Sequence, residues 1–518
     1  MCIKIRNNFE IMIFFKKNKY LFLVFIIIIF VFYPITNFKF VDYDDYLHLK
    51  KIRNFSIDDL VFFWLKPFEG LYMPVSYNIR QLIVLVYELF SQKENNLSKF
   101  FHTFSLIVHL INVYLVFNLL NEISRKKDQT ALAALFFGLH PIQVESIAWV
   151  SQIGILIGFS FAMFSIYSYK KYVYEDKYSF YVLSIIFFLM SVLSKPNYVI
   201  VPLVLIVLFF KKEKIKTIFL TIIPYVVISY FLYRITKAEQ IDKKIHFEPD
   251  YLDKFNLVIS NILFYFHKIF VPIKLVPDYG IKFKDYNNDA NFISCIIISI
   301  VILALMIKYY KSFITKGFVI FIIGLLPVLG FSTFMFQNIS LVADRYVYFS
   351  VLGISFIIAN YNISLNCSIK KIILIMVSLL ITVKSSYQIM IWKNTPILLK
   401  SILKVNNRSS LAHNNLGLHL KKKKKYNLAN YHFSEAIKNN KNALLAYKNR
   451  GNLRFLTKDY KGAIMDFTKF IQKKPNNKEI FYKRGISKEM LGFDGYKDIK
   501  KAASMNYNKA NLWLKENQ

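Results

Sequence analysis

Long apolar runs recur along the first three quarters of the 518-residue chain. A helix that crosses a membrane needs roughly 17 to 25 mainly apolar residues, and the runs reach that length repeatedly. The chain is 55% hydrophobic with a mean hydropathy of +0.36, values that soluble domains rarely reach. The sequence therefore predicts an all-α, polytopic membrane helix bundle. We expect about eleven spans, near residues 20–36, 100–120, 130–147, 152–170, 179–194, 197–211, 215–234, 291–308, 317–335, 346–361 and 371–389.

Basic loops set the predicted orientation, because Lys and Arg favour the cytoplasmic side of a membrane. The loops alternate consistently only if the segment 256–275 does not cross, and its polar residues fit a helix on the outer surface. The N-terminus is then cytoplasmic in a cell inner membrane, while the long first loop, 37–99, and everything after about 390 lie outside the cytoplasm. The loops assigned to the cytoplasm are KKNK at 16–19, SRKKD at 124–128, KKYVYEDK at 170–177, KKEKIK at 211–216, IKYYKSFITK at 307–316 and SIKK at 368–371.

The first outer loop is too long to be a simple connector, and loops of this length usually carry function. It contains IDDLVFFWLK and PVSYNIRQLIVLVYELF, which are typical of amphipathic helices lying at the membrane interface.

The formal charge is +36, from 68 Lys and Arg against 32 Asp and Glu. In a soluble protein such an excess would indicate nucleic-acid binding. Here much of it falls in short loops between spans, so the lipid bilayer is the expected partner and nucleic acid is not. The three cysteines, Cys2, Cys295 and Cys367, follow no disulfide or zinc-site spacing.

The polar C-terminal region, 405–518, repeats with a period of 34 residues, which Gly417, Gly451 and Gly485 mark. The stretch KKYNLANYHFSEAI matches KDYKGAIMDFTKFI position by position, whereas GFDGYKDIKKAASM is degenerate and lacks one residue. This period, with small and aromatic anchors, is typical of tetratricopeptide repeats. We expect a short α-solenoid of about three repeats, the last of which caps the array.

Clustered acids follow the first predicted span, in VDYDDYLHLK at 41–50. A single acid there would mark only the lipid boundary, but adjacent acids are harder to explain in that way. Other outer loops, LHPIQVESIAWVS, LSKPNY and LVADRYVYF, carry ionisable residues at the ends of spans. Each could cap a helix or extend its charge to water. Together they predict a mixed-charge cavity that could hold a lipid-linked phosphate beside a general base.

Nearly the whole chain resembles a known family, through blocks that follow one another in order: FVDYDDY, GLYMPVSY, FHTFSLIVHLINVYLVF, ALFFGLHPIQVESIAWVS, LSKPNYVIVPLVLIV, YFHKIFVPIKLVPDYG, LLPVLGF, ISLVADRYVYF and IWKN before the repeats. It is similar to the bacterial relatives of the transmembrane-and-tetratricopeptide O-mannosyltransferases. These are GT-C-type glycosyltransferases that use polyprenyl- or dolichyl-phosphate sugars. The resemblance implies a GT-C-like domain over 1–395 and a repeat domain over 405–518.

The resemblance also implies roles for individual residues. The family's acidic pair, which is taken to include the catalytic base, falls on Asp44 and Asp45, and the sequence does not choose between them. The HPxxxE block carries onto His140, Pro141 and Glu145, and the ADRY block onto Asp344 and Arg345. Lys195 matches a basic position after a span.

Two positions depart from the family pattern. Gln143 stands where relatives commonly have a second His, and the uncharged SQIGI at 151–155 stands where they often have a charged stretch. These departures predict a changed donor affinity, a changed sugar or a loss of activity.

The chemistry needs a carboxylate to deprotonate the acceptor and cations to neutralise the departing phosphate. Arg345 is the first choice for phosphate because its planar fork of donors suits phosphate oxygens. Lys195, His140 and Arg80 are weaker candidates, with Asp344 and Glu145 in support. A divalent metal on Asp44, Asp45 and Glu145 is conceivable, but no metal or other cofactor is favoured.

His102 and His109 lie seven residues apart on the second predicted span and therefore share a helical face. They fit donor contact and hydrogen bonding within the bundle equally well.

Two functions remain open from the sequence. The first is an inverting glycosyltransferase that moves mannose or a similar hexose from a polyprenyl-phosphate donor to an acceptor hydroxyl on protein Ser or Thr, which the repeats present. The second is a non-enzymatic, membrane-anchored repeat scaffold for protein–protein interaction. A tether needs one span, and it would not explain acids and cations gathered on one side of the membrane.

Overall fold

The structure is a computed structural model, and it describes residues 18–49, 51–52, 54–90, 96–210, 215–241, 250–286, 289–309, 312–331, 334–361 and 367–517. Throughout these ranges the chain is helical and forms no strand, apart from one isolated bridge between Phe68 and Leu71. The all-α prediction is confirmed. The chain divides into two compact units, Met1–Asn394 and Thr395–Gln518.

The first unit contains helices of very different length. They are α1 (Asn18–Asn37), α2 (Asp45–Leu49), α3 (Ile57–Leu65), α4 (Pro74–Phe90), α5 (Leu97–Ser124), α6 (Lys127–Leu139), α7 (Val144–Ala148), α8 (Ile153–Glu175), α9 (Tyr178–Ser194), α10 (Val201–Phe209), α11 (Ile215–Ile241), α12 (Tyr251–Phe270), α13 (Asp289–Lys308), α14 (Phe313–Leu325), α15 (Val351–Asn360) and α16 (Cys367–Ile391).

By length and composition, four helices in the described ranges could cross a membrane, and up to six could do so if two bent helix pairs each count as one span. The other predicted spans coincide with apolar helices of 10 to 17 residues, so a count of about eleven stays a prediction. Proline explains part of the shortening. Helix α6 ends before His140–Pro141 and α9 ends before Lys195–Pro196, because the residue before proline disfavours helical backbone.

The segment that was predicted not to cross, 256–275, corresponds to α12, which is not among the candidate spans found in the described residues. Its buried face carries Asn261 and Tyr265, and the Asn261 amide donates to the backbone oxygen of Leu329 at 3.0 Å. Of the loops used for orientation, residues 16–17, 211–214 and 310–311 lie outside the described residues.

The segment 37–99, which was predicted to be the first outer loop, folds around an aromatic core. Phe63 of α3 stacks on Tyr77 of α4 at a centroid distance of 4.8 Å, and this pair belongs to a buried cluster with Phe101 and Val150. Both predicted helices of the loop are present. Because α4 buries Tyr77, Arg80 and other residues of one face, the loop is joined to α5 and to the segment that precedes α8.

The second unit consists of short paired helices: α17 (Thr395–Val405), α18 (Ser410–Lys422), α19 (Tyr426–Asn439), α20 (Leu444–Leu456), α21 (Tyr460–Lys473), α22 (Lys478–Glu489), α23 (Tyr496–Ser504) and α24 (Asn508–Glu516). Helices α18, α20 and α22 begin 34 residues apart, as the sequence period predicts. Gly417 and Gly451 bring paired helices together, since a Cβ at either position would lie 2.7 Å from the ring of Phe433 or Phe467.

The third repeat differs from its prediction. Arg450 pairs with Asp466 sixteen residues later, whereas Arg484 makes the equivalent pair with Asp498 after fourteen residues. The third repeat therefore lacks two residues here rather than one. The shortening falls at Gly495, whose missing side chain lets it lie against the backbone of Gly485.

Candidate active site

Four of the ionisable residues singled out from the sequence lie on short links between helices of the first unit, namely Asp44, Lys195, Asp344 and Arg345, whereas Asp45, Arg80 and Glu145 belong to helices. Asp44 and Asp45 follow α1, Lys195 is the residue after α9, and Asp344 and Arg345 open the 3-10 turn Asp344–Val347 before α15. Helices end at these links, so polar side chains can face inward without interrupting a hydrophobic segment.

The Asp45 carboxylate is engaged in hydrogen bonds that link distant parts of the chain. Its Oδ1 accepts hydrogen bonds from the backbone N–H of Ser151 at 2.9 Å and from the Ser151 hydroxyl at 2.6 Å. Its Oδ2 accepts from the backbone N–H of Val41 at 2.9 Å. The side chain is 1% exposed, and burial raises its pKa to about 6 despite these donors. Its lone pairs are occupied, so the geometry favours Asp45 as an anchor rather than a base.

Asp44 is the opposite case. Its half-buried carboxylate makes no hydrogen bond or ion pair with any residue that the structure describes. Burial raises its pKa, while the positive charges of Arg345 and Lys195 act against that shift. Asp44 is therefore a free carboxylate beside two cations, which is the state that a general base requires.

Lys195 is the second free charge. Its half-buried amine makes no ion pair or hydrogen bond within the described ranges. Burial and the positive charges of Arg345 and Arg80 together lower its pKa to about 7, although the charge of Asp44 acts in the opposite direction. An anion that reaches this amine would restore its charge. Lys195 is therefore more available to a phosphate than its weaker rank in the sequence interpretation suggested.

Arg345 is held by protein groups on several sides. Its Nη1 donates to Glu145 Oε1 at 2.6 Å, and its Nη2 donates to the Tyr346 hydroxyl at 3.3 Å. The guanidinium lies over the rings of Phe336 and Trp149, with centroid distances of 4.1 and 5.3 Å. It is 6% exposed. Arg345 thus supplies a fixed positive charge, and it reaches a ligand less freely than was expected.

The two supporting acids bind different groups. Glu145 accepts a hydrogen bond from Arg345 and holds the guanidinium in place, whereas Asp344 accepts a 2.6 Å hydrogen bond from the Tyr279 hydroxyl. Burial and the charge of Glu145 raise the pKa of Asp344 well above its usual value.

Arg80 and His140 are poor phosphate ligands in this geometry. Arg80 is 1% exposed and donates from Nη2 to the backbone oxygen of Ser151 at 2.8 Å. Both nitrogens of His140 are occupied: Nε2 donates to the Ile269 oxygen at 2.9 Å, and Nδ1 accepts from the Ile142 N–H at 3.2 Å. These bonds fix the backbone around the site.

The two histidines of α5 have different surroundings. His109 donates from Nε2 to the Gly138 oxygen at 2.9 Å and accepts at Nδ1 from the Tyr348 hydroxyl at 2.8 Å, which joins it to Asn112. This geometry favours the bundle interpretation for His109. His102 is also buried, yet neither ring nitrogen has a hydrogen-bond partner among the described residues.

The two departures from the family pattern serve the packing. Ser151, the first residue of the uncharged stretch, binds both Asp45 and Arg80. Gln143 is buried and donates to the Phe137 oxygen at 3.3 Å and to the Tyr348 oxygen at 3.4 Å.

The residues considered for a metal do not converge. Three N–H and O–H donors already bind Asp45, and Glu145 Oε1 accepts a hydrogen bond from Arg345, so two of the three carboxylates are engaged by protein groups. Across the described ranges, no group of three or more His, Cys, Asp and Glu side chains could hold a metal ion.

Sequence reasoning missed Ser151 and Tyr279. Neither residue carries a charge, and only their long-range contacts with Asp45 and Asp344 identify them.

Comparison with known proteins adds no family assignment: no family model matches this chain, and no curated protein matches it.

Proposed function

We propose that the protein is an inverting membrane glycosyltransferase that moves mannose or a similar hexose from a polyprenyl-phosphate donor to an acceptor hydroxyl. The observation that carries the proposal is the pair of free charges, Asp44 and Lys195, beside the buried guanidinium of Arg345. Uncompensated charges in partly buried positions are costly, and they are found where a ligand completes them.

Asp44 is the general base of this reaction. The acceptor hydroxyl gives its proton to the Asp44 carboxylate as its oxygen attacks the anomeric carbon. The bond from that carbon to the phosphate oxygen breaks on the opposite face, so the configuration inverts. The raised pKa of Asp44 makes it a stronger base than an exposed carboxylate.

Lys195 and Arg345 receive the negative charge that grows on the departing polyprenyl phosphate. Lys195 makes the direct contact, and Arg345 contributes a fixed field from behind it. Preorganised cations of this kind act most strongly where water is partly excluded. Asp45, Ser151 and Arg80 hold the loop that carries Asp44 in place.

The larger architecture belongs to the same proposal. About eleven spans place the N-terminus in the cytoplasm of a cell inner membrane, with the site and the second unit outside it. The second unit is a tetratricopeptide solenoid that presents a protein acceptor. The 34-residue spacing of α18, α20 and α22 supports this assignment. No metal takes part.

The test compares neighbouring carboxylates. Purified wild-type protein and the Asp44→Asn and Asp45→Asn variants are incubated with polyprenyl-phosphate mannose and a Ser- and Thr-containing peptide. Asp44→Asn should lower the transfer rate by about 10²- to 10⁴-fold without loss of stability. Asp45→Asn should lower the thermal midpoint, because it disturbs three hydrogen bonds. Normal transfer by Asp44→Asn would contradict the proposal. A wild-type protein that neither transfers nor hydrolyses several defined donors would leave the scaffold as the better function.

A further inference from the structure

The first helices of the three repeats, α18, α20 and α22, are joined by side chains along one face of the second unit. The Asn449 amide of α20 donates to the Asn414 oxygen of α18 at 2.9 Å. The Lys483 amine of α22 donates to the Asn452 oxygen of α20 at 2.8 Å. These two hydrogen bonds cross from helix to helix, so the side chains around them form one continuous surface, which we call the first-helix face.

Two amide groups at the centre of this face keep unused hydrogen-bonding atoms. Asn449 uses its nitrogen and Asn452 uses its oxygen in the bonds above, whereas the Asn449 oxygen and the Asn452 nitrogen bind no described residue. Both side chains are half-buried. One free acceptor and one free donor, three residues apart on the same side of a helix, match the N–H and C=O groups of a polypeptide backbone.

The same side of α20 exposes apolar side chains to solvent. Leu445, Asn449, Asn452 and Leu456 follow one another at intervals of three and four residues, so they lie along one side of the helix. Leu445 is 62% exposed and Leu456 is 54% exposed. The two leucines therefore flank the free amide atoms with apolar surface that a partner's side chains can cover.

Positive charge surrounds these groups. Helices α18 and α20 contain no Asp or Glu. Lys448 and Lys421 are half-buried, and neither forms a hydrogen bond or an ion pair with any described residue. Lys448 is next to Asn449 in the chain, and Lys421 lies two helical turns after Asn414, on the same side of α18. Partly buried amines without a partner are costly, and a carboxylate that reached them would offset this cost.

The acid that α22 contributes to this face is already engaged. Glu479 forms a salt bridge with Lys483. The hydrogen bond from Lys483 lowers the pKa of Glu479, and the charges of Lys448 and Lys421 act in the same direction, although partial burial opposes them. Glu479 thus faces three lysines and is bonded to one of them, so the other two remain available to an external anion.

We propose that the first-helix face binds an extended acidic polypeptide, whose carboxylates pair with Lys421 and Lys448 and whose backbone pairs with Asn449 and Asn452. The inference deepens the proposed function, on which it rests for the role of this polypeptide as acceptor: the preferred acceptor is a Ser or Thr segment that also carries Asp and Glu.

Charge and apolar surface together select this partner. The second unit has 27 Lys and Arg against 8 Asp and Glu, so an acidic chain is attracted from a distance and a basic one is repelled. A lipid head group or a nucleic-acid backbone would pair with the lysines but would leave Leu445 and Leu456 in water. A polypeptide satisfies the lysines, the amides and the leucines at once.

The test measures peptide binding by the full-length protein in uncharged detergent, without a sugar donor. Two fluorescent peptides share their length and their Ser and Thr residues, but one carries Asp and Glu where the other carries Asn and Gln. The charge variant combines Lys421→Gln with Lys448→Gln. The control combines Lys461→Gln with Lys469→Gln, which removes the same charge from exposed positions of α21.

The wild-type protein should bind the acidic peptide about 10-fold more tightly than the neutral one, and the charge variant should lose most of that preference. The control should keep it, because its lysines lie on another helix. A second matched pair tests the apolar part. Leu445→Asn should weaken the binding of both peptides, whereas Leu428→Asn, at a 50% exposed position of α19, should weaken neither.

Equal affinity of the wild-type protein for the two peptides would overturn the inference, as would equal losses in the charge variant and the control. Binding that depends on Lys421 and Lys448 but occurs only with phosphatidylglycerol vesicles would also overturn it, since the face would then be a lipid-binding surface. A wild-type protein that binds the acidic peptide tightly but transfers no mannose would retain the docking surface and contradict the transferase function instead.

Discussion

Charge is handled differently in the two units of the chain. The second unit has 27 Lys and Arg against 8 Asp and Glu, a net charge of +19 on 124 residues, and its buried acids are paired. Asp466 receives two hydrogen bonds from Arg450, at 2.9 and 2.7 Å, and a third from Arg454 at 3.0 Å. In the first unit, the half-buried side chains of Asp44 and Lys195 form no ion pair or hydrogen bond with any described residue.

This difference distinguishes paired charges that stabilise the fold from unpaired charges that are available to a ligand. A bidentate Arg–carboxylate pair satisfies both partners and fixes two helices against each other. A half-buried carboxylate and a half-buried amine without partners do not fix helices against each other, and they reduce stability. We infer that the second unit uses its buried acids for assembly, whereas the first unit keeps Asp44 and Lys195 available for chemistry.

The largest expected effect on stability is at Asp466. Asp466→Asn leaves Arg450 and Arg454 without their shared carboxylate, and should lower the free energy of unfolding by about 3 kcal/mol, the low end for a broken buried pair. Asp498→Asn should have a smaller effect, since its partners Arg484 and Lys488 are more exposed on average. Thermal unfolding followed by circular dichroism measures both. Equal destabilisation by Asp44→Asn and Asp466→Asn would contradict the proposed difference between the two units.

A smaller effect, on donor binding, is expected at Lys195. Lys195→Met should raise the KM for polyprenyl-phosphate mannose about 10- to 100-fold, because a charge-assisted contact to phosphate is lost. Stability should stay the same or increase, as an unpaired amine is replaced by an apolar side chain. Steady-state kinetics at several donor concentrations tests this, and an unchanged donor KM would exclude Lys195 as the direct phosphate contact.

The pH dependence of the transfer reaction should reflect the ionisation of Asp44 and Lys195. We expect the rate to change several-fold with pH. Transfer requires Asp44 ionised and Lys195 protonated. Since burial raises the pKa of Asp44, activity should fall on the acid side at a higher pH than an exposed carboxylate would give. Since the pKa of Lys195 is about 7, donor binding should weaken as pH rises through that value. The alkaline limb of kcat/KM should disappear in Lys195→Met, and its persistence there would assign it to another group.

The smallest effect concerns strained turns. Lys458, between α20 and α21, has φ of 62°, and we identify no ligand role for it. Lys458→Asn should raise stability by up to about 1 kcal/mol and leave transfer unchanged, because only strain is removed. Glu69, with φ of 52°, is strained in the same way, so Glu69→Asn should raise stability by a similar amount. The shift in the thermal midpoint of each variant measures the strain of its turn.

Local patterns predicted much of the fold. The 34-residue period predicted the spacing of α18, α20 and α22, whereas the predicted span 130–147 ran across Pro141, before which α6 ends. Hydropathy located the apolar helices but did not establish how many are long enough to span. The shortening of the third repeat was misjudged by one residue, because degenerate sequence leaves alignment to spatial contacts such as that between Gly495 and Gly485.

The site was less predictable than the fold. The sequence identified its ionisable residues, but it ranked them as phosphate ligands in a different order from the one that the geometry favours. Arg345 was favoured over Lys195 for phosphate because a guanidinium suits phosphate in general. The prediction could not include Glu145, Trp149 and Phe336, which already hold that guanidinium. For His140 and Arg80 nothing in the sequence indicated the backbone oxygens that accept their hydrogen bonds, because no side-chain pattern reveals such partners.

The sequence by itself determined that this chain is helical and rich in apolar segments, that its C-terminal part repeats, and which ionisable residues fall between helices. Those properties depend on local composition and spacing. Only the tertiary structure distinguished Asp44 from Asp45, which are adjacent and chemically identical. The distinction comes from Ser151, 106 residues further along the chain, which binds Asp45 and leaves Asp44 free. Burial and hydrogen bonding are set by contacts distant in sequence, and those contacts decide whether a carboxylate holds the fold together or remains free to react.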